Sequence, residues 1–217
     1  MENAELITAA TAEIEHPTFG VVKQFLEIHE IEYQDRKPVI AGIKIADSEK
    51  DATIYFAVKS EAFHFAVTLD IEPEIQVSGA DTEDFCQVCF TAWSDNLRLS
   101  QLIGLTHLKP TESYEEGDKT GFCVSFATVS SIDFKPTTAP SATEEKLKQL
   151  LTFLEQDIVG IKKLVAEANG LIQVHTVFHN GNTMLGGIHL DKEDIQRLAA
   201  LNLEIDFDLY AGGNKFK

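Results

Sequence analysis

The sequence predicts an α+β fold in which mixed and antiparallel sheets and packed helices form two layers. Three observations carry that expectation. Strand-like alternation recurs between residues 39 and 93. One long segment near 142–168 repeats its apolar residues with the period of an amphipathic helix. The chain also carries, over 190–210, a helix followed by a cleanly alternating strand. At 217 residues there is room for one large domain or two small ones. The division expected is an acidic N-terminal αβ unit over 1–80 and a C-terminal αβ domain over 81–217, with a single continuous domain as the alternative.

The elements follow in order. Residues 1–17 are polar and end at Pro17, so they read as a frayed lead. A helix is expected over 18–31, with Thr18 as its cap and Val21, Val22, Phe25, Leu26 and Ile28 as its apolar stripe. Val39–Ala46 reads as a strand, and Ser48–Asp51 as a polar turn. Strands Thr53–Lys59 and Phe63–Asp70 come next. In the second, Phe63, Phe65, Val67 and Leu69 alternate with His64, Ala66, Thr68 and Asp70, the pattern of a half-buried strand. Pro73 interrupts, Glu74–Val77 is a short edge strand, and Gly79 punctuates. Phe85–Trp93 is a further strand and 97–104 a short helix. Residues 106–120 are a loop, 121–132 a strand and 135–142 a linker.

The long helix opens with Ser141 and Glu144, the spacing of a capping box. Leu147, Leu150, Leu151, Leu154, Ile158, Ile161, Leu164 and Val165 form its stripe; Gly160 can bend it, and Asn169-Gly170 ends it. A strand at 171–178, a turn at Asn180-Gly181-Asn182 and a short strand at 185–190 lead to Asp191. That residue caps a helix whose core face is Ile195, Leu198, Ala199 and Leu201. Leu203, Ile205, Phe207 and Leu209 then share one face of the last strand, with Glu204, Asp206, Asp208 and Tyr210 on the other. The closing residues 212–217 are expected to be mobile.

The charge is unusual. Lys and Arg number 18 against 35 Asp and Glu, a net charge of −17. A field of that sign repels nucleic-acid phosphates and anionic membrane surfaces and favours basic protein partners. Between Lys59 and Arg98 the chain carries Glu61, Asp70, Glu72, Glu74, Asp81, Glu83, Asp84 and Asp95 and no base. The acidic N-terminus lacks a signal-peptide pattern and no apolar run is long enough to span a bilayer, so the expected compartment is the cytoplasm. An odd count of 3 cysteines argues against a disulfide framework.

The segment from Gly187 through Asp191, Ile195, Leu198 and Leu201 to Asp206, Asp208 and Tyr210 resembles the closing signature of an uncharacterised bacterial family, domain of unknown function four-two-seven-nine. Ile103-Gly104-Leu105, Lys109-Pro110-Thr111 and Glu115-Glu116-Gly117-Asp118 resemble it as well. The resemblance covers roughly 85–210. It implies a compact α+β domain and brings no catalytic residues with it.

Three constellations bear on function. Cys86 and Cys89 form a C-x-x-C, but on a strand residues three apart face opposite ways, so they read as packed thiols rather than a redox or metal pair. His175 and His179 can share a strand face, as can Asp206 and Asp208. If those strands neighbour one another, an acid–base or metal site becomes possible; otherwise they belong to a solvated sheet face. The acidic residues between 61 and 95 form either a solvated face or a surface that docks a basic partner. No phosphate loop, nucleophile elbow or zinc-protease motif is present. The leading expectation is therefore a non-catalytic, protein-binding module without cofactor or metal, comparable to immunity proteins that neutralise basic toxins. The alternatives are an enzyme using the His/Asp set and a small-molecule sensor with a pocket between the long helix and a sheet.

Overall fold

Two hydrophobic clusters organise the chain, each built on one sheet. The computed structural model describes residues 3–46, 48–120, 125–181 and 187–215. Helices and mixed sheets make it an α+β fold, as the sequence predicts.

Residues expected to be a frayed lead form a helix, α1 (Asn3–Glu15). Leu6, Ala10 and Ile14 recur every fourth residue and are buried, so the polar composition conceals a narrow apolar stripe. The following helix, α2 (Gly20–Leu26), is shorter than the expected 18–31. Thr18 does not cap it. Instead, its backbone N–H and hydroxyl both donate to the Glu13 carboxylate, as does Phe19 N–H. Burial alone would push the Glu13 carboxyl up, but these bonds hold it below the usual carboxylate range.

A small ribbon, β1 (Tyr33–Gln34) and β2 (Lys37–Pro38), turns through Asp35 and Arg36, both at positive φ. The first main sheet follows: β3 (Ile40–Ile45), β4 (Asp51–Ala57), β5 (His64–Asp70) and β6 (Gln76–Glu83), antiparallel and in chain order. Its inner face (Ile54, Phe56, Phe65, Val67 and Leu69) packs on α1 and α2. Strand β6 is an edge strand, as expected, but far longer than Glu74–Val77. It runs through Gly79, where the register shift opposite Thr68 and Leu69 absorbs an extra residue.

The chain crosses to the second sheet at Asp84. Strand β7 (Phe85–Ser94) lies at the centre of a five-stranded sheet, and α3 (Leu99–Gly104) follows it. The segment expected as a loop contains β8 (Glu112–Tyr114) and β9 (Lys119–Thr120). Strand β9 pairs with β10 (Ser125–Phe126), which is followed by β11 (Ser130–Phe134). The strand expected at 121–132 is thus two strands; residues 121–124 lie outside the described residues.

The long helical segment is present from Thr143 to Glu167, with an interruption. Helix α4 (Thr143–Leu154) ends in a 3-10 turn at Glu155–Asp157, and α5 (Ile158–Glu167) restarts behind Asp157. The Asp157 carboxylate accepts from Gly160 N–H, Thr106 Oγ1 and His107 N–H, so the break is held from outside by the α3–β8 connection. The expected Ser141 cap is not formed: Ala142 occupies the cap position, and Glu144 accepts from His189 N–H instead.

Strand β12 (Leu171–His179) then pairs antiparallel with β7. After helix α6 (Lys192–Leu201), β13 (Ile205–Gly212) pairs parallel with β12 at the sheet edge. The order is β13-β12-β7-β11-β8. Asp191 caps α6 through a bond from Asp194 N–H, and Asn202 closes it in the left-handed conformation, both as expected. Ile195, assigned to the core face, is 54% exposed; Leu198 and Leu201 are buried. On the last strand Ile205 and Phe207 pack on the core, but Leu209 is 57% exposed. Residues 182–186, which include Asn182 of the expected turn and the first part of the expected strand, lie outside the described residues.

Residues 212–214 are not a free tail. Asn214 donates its backbone N–H to His29 Nε2 and its side-chain amide to Ile28 O, tying the end of the second sheet to the first unit. At φ +79° and close against Phe63 and His29, Gly213 is the residue such a crossing requires. No helix among the described residues is long and apolar enough to cross a membrane.

Candidate functional site

The acidic residues do not form one surface. Asp70, Glu72 and Glu74 cluster at the β5–β6 turn, and Asp81 lies farther along the exposed side of β6. Glu72, Glu74 and Asp81 are exposed and Asp70 is half-buried. Among the described residues none of the four forms a salt bridge. Glu61 turns inward, 4.0 Å from His29 Nδ1. Asp95 follows β7 at the opposite end of the second sheet. Glu83 and Asp84 lie at the junction between the sheets.

The His/Asp set is only partly assembled. Strands β12 and β13 do neighbour one another, and the register places His175 opposite Asp208 and Gln173 opposite Asp206. Yet Asp208 accepts from Gln173 Nε2 at 3.0 Å, and His175 lies between the rings of Tyr210 and Phe85, at 4.7 and 6.1 Å. His179 leaves the group altogether. It is fully buried at the end of β12, with its Nε2 3.0 Å from His29 Nε2 and its ring against Phe25 and Phe63. Since Asn214 N–H donates to His29 Nε2, that nitrogen is an acceptor and His179 Nε2 carries the proton. The pair joins the end of the second sheet to the segment that follows α2. No group of three His, Cys, Asp or Glu residues among the described residues is placed to hold a metal ion.

Cys86 and Cys89 are free and buried, and strand alternation points them to opposite faces. Cys86 receives the Thr143 hydroxyl at 3.0 Å; Cys89 lies 3.6 Å from Thr91 Oγ1, and burial pushes its thiol up. Cys123 lies outside the described residues.

The residues that do converge were not grouped by the sequence reading. Where β6 gives way to β7, Glu83, Asp84 and Cys86 face Ser141–Glu144 at the start of α4 and Thr176, Phe178 and Ile188 beyond it. Burial raises the Glu83 carboxyl, and the adjacent Asp84 raises it further. Burial also raises Asp84, partly offset by a hydrogen bond from the His179 backbone. Beside this cleft Lys146 is 3% exposed and donates from Nζ to the Cys86 carbonyl; burial lowers its ammonium. Burial, and then Lys146, lower the His64 imidazole, while burial together with Glu83 and Glu145 pushes Tyr55 up to about 12. No spacing rule could find this group, since β6–β7, α4 and β12 are distant in the chain. The one local signal was a lysine flanking the stripe of the long helix.

The architecture defines a two-sheet α+β protein whose second sheet carries the helices of a distinct module. That module is familiar by sequence. The chain belongs to the family described as Domain of unknown function (DUF4279), whose family model matches residues 82–212. The match begins at the end of β6 and includes all of the second sheet. No curated protein and no solved structure matches the chain.

Proposed function

We propose that the protein is a non-catalytic, cytoplasmic binding module that docks a basic protein along the acidic edge of its first sheet, as an immunity-like protein masks a basic toxin. The observation that supports this reading is the set Asp70, Glu72, Glu74 and Asp81. These carboxylates border an unpaired edge strand without a salt-bridge partner among the described residues. Carboxylates left uncompensated on one border raise the local potential, which speeds association with a positive surface and selects against negative ones. A net charge of −17 acts in the same direction at longer range.

The test is affinity capture from native lysate with the full chain at about 50 mM salt and again at about 0.5 M, where screening shortens the range of charge interactions to a few ångströms. The wild type is expected to retain a basic protein at low salt and release it at high salt. The variant D70N/E72Q/E74Q/D81N is expected to lose it. Equal recovery by the variant overturns the reading.

A further inference from the structure

Three separate elements line a half-open cleft of about 190 Å³: the β6–β7 junction, the start of α4, and β12. Two residues of its lining, Thr176 and Asp84, each carry a polar atom with no hydrogen-bond partner among the described residues. Thr176 is only 3% exposed, yet its Oγ1 is unpartnered, and so is the buried Oδ1 of Asp84. Buried polar atoms are nearly always satisfied, and leaving one unmade is costly. Two in the lining of one cleft therefore point to a group that the cleft accepts.

The chemistry of that group follows from the wall. Glu83, Asp84 and Glu144 line the cavity, and no Lys, Arg or His does so among the described residues. The nearby Lys146 ammonium donates to the Cys86 carbonyl, and its charge, like that of Lys44, acts on Glu83 from outside the lining. An anion is therefore repelled. A metal ion lacks a suitable ligand group among the described residues. An ammonium group has three donors and no acceptor, which matches two carboxylates and a hydroxyl. Phe178, Ile188 and Cys86 supply an apolar wall for a short alkyl chain.

We propose that this cleft binds a small molecule carrying a primary ammonium on a short alkyl chain, with Asp84 and Glu83 as counter-ions and Thr176 Oγ1 as the third acceptor. Two half-buried, adjacent carboxylates are unfavourable for the empty protein, and a bound cation relieves exactly that burden on the fold. Residues that serve a ligand in this way leave the unliganded protein less stable than it could be.

The test uses the full chain with n-butylamine and 1,4-diaminobutane as probes and n-butanol as the neutral control, read by thermal shift and titration calorimetry at pH 7. Both amines are expected to raise Tm beyond sodium chloride of equal ionic strength, and n-butanol is not. Asp84→Asn is expected to raise the Tm of the free protein by roughly 1–4 °C while weakening amine binding about tenfold or more. Thr176→Val is expected to weaken it less, with the fold retained. A merely structural Asp84 would give the opposite sign in the free protein. The edge variant D70N/E72Q/E74Q/D81N is expected to keep amine binding, which separates this site from the docking reading. No amine-specific shift, or a shift undiminished in Asp84→Asn, overturns the proposal.

Discussion

Asp157 shows how much one side chain can fix. It is 8% exposed and accepts hydrogen bonds from Gly160 N–H, Thr106 Oγ1 and His107 N–H. Burial by itself would raise its carboxyl, yet the three bonds, helped by the His107 ring, hold it below its ordinary value. A carboxyl lowered in the folded state stabilises above its unfolded pKa of about 3.9, and that contribution fades as pH falls through the folded value. Asp157→Ala is expected to cost about 2–3 kcal/mol at pH 7, the scale of a lost helix cap plus buried donors left unsatisfied. Urea unfolding at pH 7 and pH 3 checks this, with the difference between variant and wild type expected to shrink at the lower pH. From the sequence the bend is assigned to Gly160 alone. The cause became visible only with Thr106 and His107 in place, because its partners are some fifty residues away.

At the scale of elements, what the sequence conveyed depended on how local the signal was. Strand β5 and the α6–β13 unit were legible because period-2 alternation, the Asp191 cap and the Asn202 stop are all written within a few residues. Helix α1 was missed because its stripe is narrow and has alanine at its middle position, so hydrophobic content understated the helix propensity. Strand β6 was cut short because Gly79 looked like punctuation, whereas a bulge lets the strand run on. The packing of α1 gives a direct check. Leu6 is fully buried against the first sheet, so Leu6→Ala is expected to cost about 2–4 kcal/mol. Glu15→Ala, on the exposed side of the same helix, is expected to change stability by less than about 0.5 kcal/mol. Chemical denaturation of both variants measures the contrast; a frayed lead would leave them alike.

For the molecule as a whole, the sequence conveyed an excess of negative charge but not how the two main sheets meet. The joint is made by His29, His179 and Asn214 and by Lys44 with Glu145 at 2.6 Å. Every one of these links residues far apart in the chain, which is why the cleft beside them was not foreseen. The charge acts on this joint as well as on partners. With 35 acids and 18 bases, repulsion among carboxylates opposes the compact state, and the exposed ion pairs that offset it are each worth only about 0–1 kcal/mol. Repulsion therefore outweighs pairing, and screening should stabilise. Raising salt from about 0.01 M to about 0.15 M shortens the Debye length from about 30 Å to about 8 Å. Calorimetry at pH 7 is expected to show Tm rising across that range, and rising less in D70N/E72Q/E74Q/D81N, which removes four of the repelling charges. A Tm that falls with salt would mean that the ion pairs dominate, and that the acidic edge is compensated in solution by partners within the chain rather than held open for one outside it.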